Sequence, residues 1–156
     1  GSVALRIAMR TFDHDYANEV ITRLNRIKPD AKPQWGAMSP AQMIGHLTFW
    51  VRYSMGKGDE FPFAGNWLTK KIVGPITLTG WLPVPRNLKL ERRVPVPDAP
   101  PADTETLHAV IETYLGLVQS GELTPYCHPF FGDIGVDGWA KMHVVHFEHH
   151  LKQFGV

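Results

Sequence analysis

The chain has 156 residues, 44% of them apolar and 20% charged, with a net charge of +1 at pH 7. That length suits a single domain, residues 1–156, around one core. A near-neutral balance without a basic run or a basic-aromatic stripe excludes nucleic acid as a favoured partner, and no apolar stretch approaches the length of a membrane span. Cys127 is the lone cysteine, so no internal disulfide can form. With no signal-peptide pattern in Gly1-Ser2-Val3-Ala4, the expectation is a reducing, cytoplasmic setting and no membrane partner.

Taken in chain order, a first helix is expected from about Asp13 to Ile27. Asp13 or Asp15 can cap it, and Tyr16, Val20, Leu24 and Ile27 repeat at helical spacing before Pro29 closes it. A loop carrying Trp35 follows. The second helix has the clearest start: Ser39-Pro40-Ala41-Gln42 puts Ser at the N-cap, Pro where its missing N–H does no harm, and Gln where it completes a capping box. It should run to about Met55. A weaker segment, Asn66 to Leu78, is interrupted by Gly74-Pro75 and is expected to be kinked or broken. Pro83, Pro85, Pro95, Pro97, Pro100 and Pro101 then rule out regular helix between Gly80 and Ala102. That stretch reads as a long crossover, with room for one short extended piece at Leu88 to Val94. The next helix opens at Asp103 or Thr104, has an apolar face of Leu107, Ile111, Tyr114, Leu115 and Val118, and stops near Gly121. Tyr126-Cys127-His128-Pro129-Phe130-Phe131-Gly132 is an aromatic turn. A last helix runs from near Asp137 to Gly155. The fold class is therefore all-α: a four-helix bundle with one shorter helix and a long Pro-rich crossover before the last two helices.

Four of the eight histidines lie between positions 143 and 150: His143, His146, His149 and His150. Stepping about 100° per residue, Gln153, Trp139, His150, Met142, His143 and His149 all fall within roughly 60° of His146. Val144, Phe147, Leu151 and Phe154 form an apolar arc beside them, and Lys141, Glu148 and Lys152 take the far, solvent side. The imidazoles thus occupy the stripe that faces the bundle. Buried polar groups need partners, and a metal ion satisfies several at once. His146 and His150, four apart, stand one above the other as a ligand pair. The plain alternative is a wet groove of ordinary hydrogen-bonded histidines. Glu148, on the solvent side, does not support a protease-type base.

A third ligand has to come from another helix. His14 sits at a helix start between two aspartates and reads as solvated. His108 has no paired residue, and His128 before Pro129 reads as a turn residue. His46 lies midway along the second helix on a face with Gln42, Met43, Phe49, Trp50 and Tyr53, so it points inward, as a ligand or as a satisfied core histidine. Three imidazoles from two helices leave a coordination position open, the arrangement of a catalytic rather than a closed structural metal. Cys127 reads as a small buried hydrophobe, because an adjacent His128 seldom has the geometry to activate a thiol.

Two blocks carry a family resemblance. One is Trp35-Gly36-Ala37-Met38-Ser39-Pro40-Ala41-Gln42-Met43-Ile44-Gly45-His46-Leu47. The other is His128-Pro129-Phe130-Phe131-Gly132, followed by Trp139 and His146-Phe147-Glu148-His149-His150-Leu151-Lys152-Gln153-Phe154. In these blocks, and across nearly the whole chain, the sequence resembles the DinB/YfiT-like superfamily of metal-dependent enzymes, in one of its uncharacterised branches. The resemblance implies a DinB-like helical bundle whose metal ligands are His46, His146 and His150. His149 is then the non-ligand of its pair, and His143 has no assigned part. It also implies hydrolase or thiol-transferase chemistry, with a small-molecule substrate or a low-molecular-weight thiol as partner.

Three functional readings stand. The first is a metal-dependent enzyme in which a divalent ion, zinc or nickel foremost, activates water or a thiol. The second is a metal- or small-ligand-binding module without turnover, since neither Tyr53 nor Gln42 beside His46 is a strong base. The third is a structural bundle that forms a homodimer, its histidines incidental. No catalytic residue and no organic cofactor is assigned.

Overall fold

The computed structural model describes residues 10–78 and 99–156. Within them the chain is all-α: α1 (His14–Leu24), α2 (Pro40–Ser54), α3 (Gly74–Leu78), α4 (Thr104–Ser120) and α5 (Gly135–Gln153), with no strand among the described residues. The crossover expected over 80–102 lies mostly outside the described residues, as does its extended piece at 88–94.

Local chemistry explains most of the helix ends. Asp13 accepts the Tyr16 N–H at the start of α1, and Asp103 accepts the Thr106 N–H at the start of α4. At α2 the capping box is complete: the Ser39 hydroxyl accepts the Gln42 N–H, and the Gln42 carbonyl accepts the Ser39 N–H. Gly121 ends α4 with φ +73°, a left-handed conformation that costs glycine little. Two expected boundaries shift. Helix α1 stops at Leu24 and tightens through Ile27, whose N–H bonds to the Leu24 carbonyl. Helix α5 starts at Gly135, two residues before Asp137, with no side-chain cap at Ile134.

The Gly74-Pro75 interruption does not break its segment. A π-helical turn, Thr69–Val73, runs directly into α3, and the Gly74 N–H bonds back to the Thr69 carbonyl. The wider turn accommodates a proline that has no N–H and crowds the carbonyl one turn earlier. Side-chain and backbone bonds hold this region beside the aromatic turn: Thr69 Oγ1 donates to the Phe130 carbonyl at 2.8 Å, and the Ala64 N–H donates to the Pro129 carbonyl at 2.8 Å.

Helices α1 and α2 each pack against both α4 and α5, while α3 lies against α5. Tyr16, Val20 and Leu24 of α1 and Met43, Leu47 and Val51 of α2 point into the same core. Leu107, Ile111 and Tyr114 of α4 and Val144, Phe147 and Leu151 of α5 complete one buried cluster. Each set repeats at spacings of three or four, as a buried helix face requires.

Glu148 corrects the helical-wheel reading. It is not on a solvent face: Arg23 grips both its carboxylate oxygens at 3.1 Å, and the Tyr16 hydroxyl donates to Oε1 at 3.0 Å. Burial first, then the Glu148 carboxylate, hold the Tyr16 phenol far above its ordinary pKa, so it remains a donor. The fork locks α1 to α5. A wheel treats the far side of one helix as solvent, and here α1 covers part of that side.

Gly45, next to His46, lets the chain at Pro100 approach α2 directly. A Cβ at this position would collide with the Pro100 carbonyl, and close by the Ala102 N–H donates to the Ala41 carbonyl at 3.1 Å. Gly45→Ala is therefore expected to destabilise by about 1–3 kcal/mol, the cost of overpacking. Gly116, in α4, has open space where a Cβ would lie, with no contact within 4 Å. Gly116→Ala should instead add about 0.5–1 kcal/mol. Urea midpoints of the two variants test the pair, and equal midpoints would refute the assigned contact.

Candidate metal centre

Helix α2 carries His46, and helix α5 carries His146 and His150 one turn apart. Packing of the two helices brings the three rings together. His146 Nε2 lies 2.9 Å from His46 Nε2 and 3.1 Å from His150 Nε2. The ligand atoms of all three residues lie within 4.8 Å of one another, and no other group of three or more potential ligands converges this way among the described residues. His150 is buried, and His46 and His146 are half-buried.

The donor chemistry fits a divalent cation. Burial, followed by the neighbouring His149, lowers the His46 pKa to about 4. Burial, then His46, lowers that of His150 to about 3. Burial, then His150 and His46, hold His146 well below its ordinary value. All three rings are neutral at pH 7 and offer lone pairs. Hydrogen bonding satisfies at most one of the two short nitrogen contacts well, whereas a cation satisfies all three nitrogens together. Tetrahedral zinc with bonds of about 2.05 Å sets ligand nitrogens about 3.3 Å apart. The two short contacts of His146 would therefore part by a few tenths of an ångström, while the His46 and His150 nitrogens already lie within 4.8 Å of each other.

The remaining histidines divide by environment. His143 is buried one turn before the cluster. Its Nε2 lies 2.7 Å from Ser54 Oγ, and because Ser54 donates its own proton to the Val51 carbonyl, His143 is the donor. It packs against Phe12, Tyr114 and Trp139 and does not join the three. The His149 and Trp35 rings meet edge to face, with centroids 5.6 Å apart. His128 fixes the aromatic turn: its Nδ1 accepts the N–H groups of Phe130 and Phe131, each at 3.1 Å, and its ring stacks on Phe131. His14 and His108 both reach Glu112 at the surface, at 2.9 and 3.4 Å.

Several side chains depart from their expected places. Cys127 is exposed, not a buried hydrophobe, and partial burial followed by Asp133 raises its thiol pKa, the opposite of nucleophile activation. Gln42 is exposed and engaged in the α2 cap, so it does not face His46. Met142 packs on Phe130 and Phe131. Sequence reasoning placed Gln153 on the histidine stripe without giving it a task. It is buried, with Oε1 2.7 Å from His150 Nδ1 and Nε2 donating to the Trp35 carbonyl at 2.9 Å. The usable signal was its position three residues after His150, which sets the amide beside the ring.

Burial lowers the pKa of His128 and of His143 to about 3. Unfolded histidine titrates near 6.5, so between these values the unfolded chain binds more protons than the folded one. Stability is full above pH 6.5 and is lost as pH falls toward 3. Each such histidine contributes a slope of roughly 1.4 kcal/mol per pH unit in that window. His143→Gln, whose amide can still donate to Ser54, should flatten the slope of unfolding free energy against pH by about that amount. An unchanged slope between pH 6 and pH 4 would contradict the assignment.

Searches of curated proteins and of solved structures find no match. A family model, DUF1569 (protein of unknown function), matches residues 7–155. The match runs through both histidine-bearing helices and leaves out only the extreme ends, and the chain belongs to the DUF1569 family.

Proposed function

We propose that this protein binds a divalent metal ion through His46, His146 and His150, and that it is a metal-dependent enzyme acting on a small molecule. The observation that carries the reading is the convergence of three neutral imidazole nitrogens from two helices. Four long helices around one core support the finer architectural reading, a four-helix bundle of the DinB type, as do the two sequence blocks that contain the ligands. A divalent ion held there supplies Lewis acidity, which lowers the pKa of a bound water or low-molecular-weight thiol. Zinc and nickel suit an all-imidazole donor set.

The chain's own contributions are positional. Three protein ligands leave one place for a further group. Phe49 and Trp50 stand one turn beyond His46 on α2 and are half-buried, so an organic substrate would meet aromatic surface beside the open position. Hydrolysis and thiol transfer are reaction classes that such a site accommodates.

One observation favours a second reading, a metal- or ligand-binding module without turnover. Two groups that could serve as a base, Tyr53 and Glu148, are engaged elsewhere. The Tyr53 hydroxyl accepts the Phe61 N–H at 3.0 Å and donates to the Cys127 carbonyl at 3.3 Å. Burial raises its pKa further. Glu148 is held by Arg23. No helix among the described residues is long and apolar enough to cross a membrane.

Protein purified without an affinity tag should carry about one equivalent of divalent metal, as a three-histidine site predicts. Chelator should lower its melting temperature, because an ion that binds only the folded state stabilises it. His46→Ala should abolish both effects. Metal-free protein with a melting temperature indifferent to chelator would overturn the proposal. A screen of thiol-transfer and hydrolase substrates on the loaded protein separates enzyme from binding module.

A further inference from the structure

Gln153 stands between the candidate metal centre and the loop before α2. It is 4% exposed, although its side chain has both a donor and an acceptor to satisfy. The Trp35 carbonyl can only accept, so the amide nitrogen that lies 2.9 Å from it must be the donor. That contact fixes the orientation of the amide and aims Oε1 at His150 Nδ1, 2.7 Å away. An amide oxygen can only accept, so His150 must carry its proton on Nδ1. A neutral imidazole has one proton, which leaves the lone pair on Nε2. That is the nitrogen facing His146 and His46.

We infer that Gln153 is a positioning residue: it sets the tautomer and ring orientation of His150, and it ties that ligand to the Trp35 loop. The inference rests on the metal-binding reading above and names a residue that reading does not require. Two further features build the arrangement. A Cβ on Gly36 would sit 2.9 Å from Gln153 Nε2, so a side chain there would push the amide out of line. The Gln34 N–H also donates to the Gln153 backbone carbonyl at 2.7 Å, so the loop is held to the end of α5 by two bonds of different kinds. The loop in turn presents Trp35 to His149. Buried hydrogen-bond partners of ligand histidines fix the coordinating nitrogen and raise its basicity, and their removal typically weakens metal binding about 10–100-fold.

The test compares wild type, Gln153→Met and Gln153→Glu, with circular dichroism as the check on folding. Met keeps the volume and removes both polar contacts. Glu keeps an acceptor for His150 and loses the donor to Trp35. Long-range proton–nitrogen correlation spectra of metal-free protein report the His150 tautomer directly. Wild type should show a protonated Nδ1, and Gln153→Met should shift toward protonated Nε2. Zinc titration should show Gln153→Met weakened about 10–100-fold, with Gln153→Glu recovering most of the affinity. A wild-type His150 protonated on Nε2, or a folded Gln153→Met with unchanged zinc affinity, overturns the inference. If Gln153→Met fails to fold, a Gln153→Glu protein that shows the wild-type tautomer and affinity supports the role, and one that has lost both refutes it. Wild type that binds no zinc refutes the metal reading instead, and the spectra of the metal-free protein still decide what Gln153 does to His150.

Discussion

An imidazole taken out of water has to be neutral and has to find a partner, and this structure turns on how that constraint is met along the contact between α2 and α5. Burial strongly disfavours a charged ring, so the buried histidines here are held far below their ordinary pKa. Neutrality leaves each ring with one donor and one acceptor. His143 uses its donor on Ser54 of α2. His128 uses its acceptor on two backbone N–H groups of its own turn. His46, His146 and His150 turn their Nε2 atoms toward one another, a set that hydrogen bonding among themselves satisfies poorly. The same physics that makes the first two structural makes the last three available to a cation.

Relative placement of the helices is what makes this convergence possible, and polar contacts set it as much as apolar ones. The core residues of α1, α2, α4 and α5 supply most of the burial. That contact is non-directional and leaves register loosely specified. The Arg23–Glu148 fork with Tyr16 fastens α1 to α5, and the Ser54–His143 bond fastens α2 to α5 near the cluster. Gly45 brings the chain at Pro100 against α2 one residue from His46. These directional contacts come from three sides and confine the rings to one geometry, as a metal site needs.

Much of the local structure was legible in the residues themselves. Asp13, Ser39 with Gln42, Asp103 and Gly121 mark helix ends by chemistry that acts within a few residues, and each appears where expected. The pair His146 and His150 was legible for the same reason, because four residues make one turn. The misplaced residues share a cause too. Glu148 and Cys127 were placed from the face of a single helix or from residue type, while their surroundings depend on segments far along the chain. Glu148 is covered by Arg23 and Tyr16, more than 120 positions away. The Gly74-Pro75 step reads as a kink or a break when only α-helix or coil is considered, and the π-turn that accommodates it is not foreseen.

The sequence by itself determined where most of the helices lie, where the side-chain-capped ones start, and which of their faces are apolar, because caps, prolines and spacing act over one or two turns. It also confined the chemistry to a few histidines. Only the tertiary structure decided which of those histidines meet. His46 is a hundred positions from His146, and nothing local distinguishes a ligand from a satisfied core imidazole such as His143. The distinction lies in what stands opposite each ring: a serine hydroxyl for one, and two more imidazole nitrogens for the other.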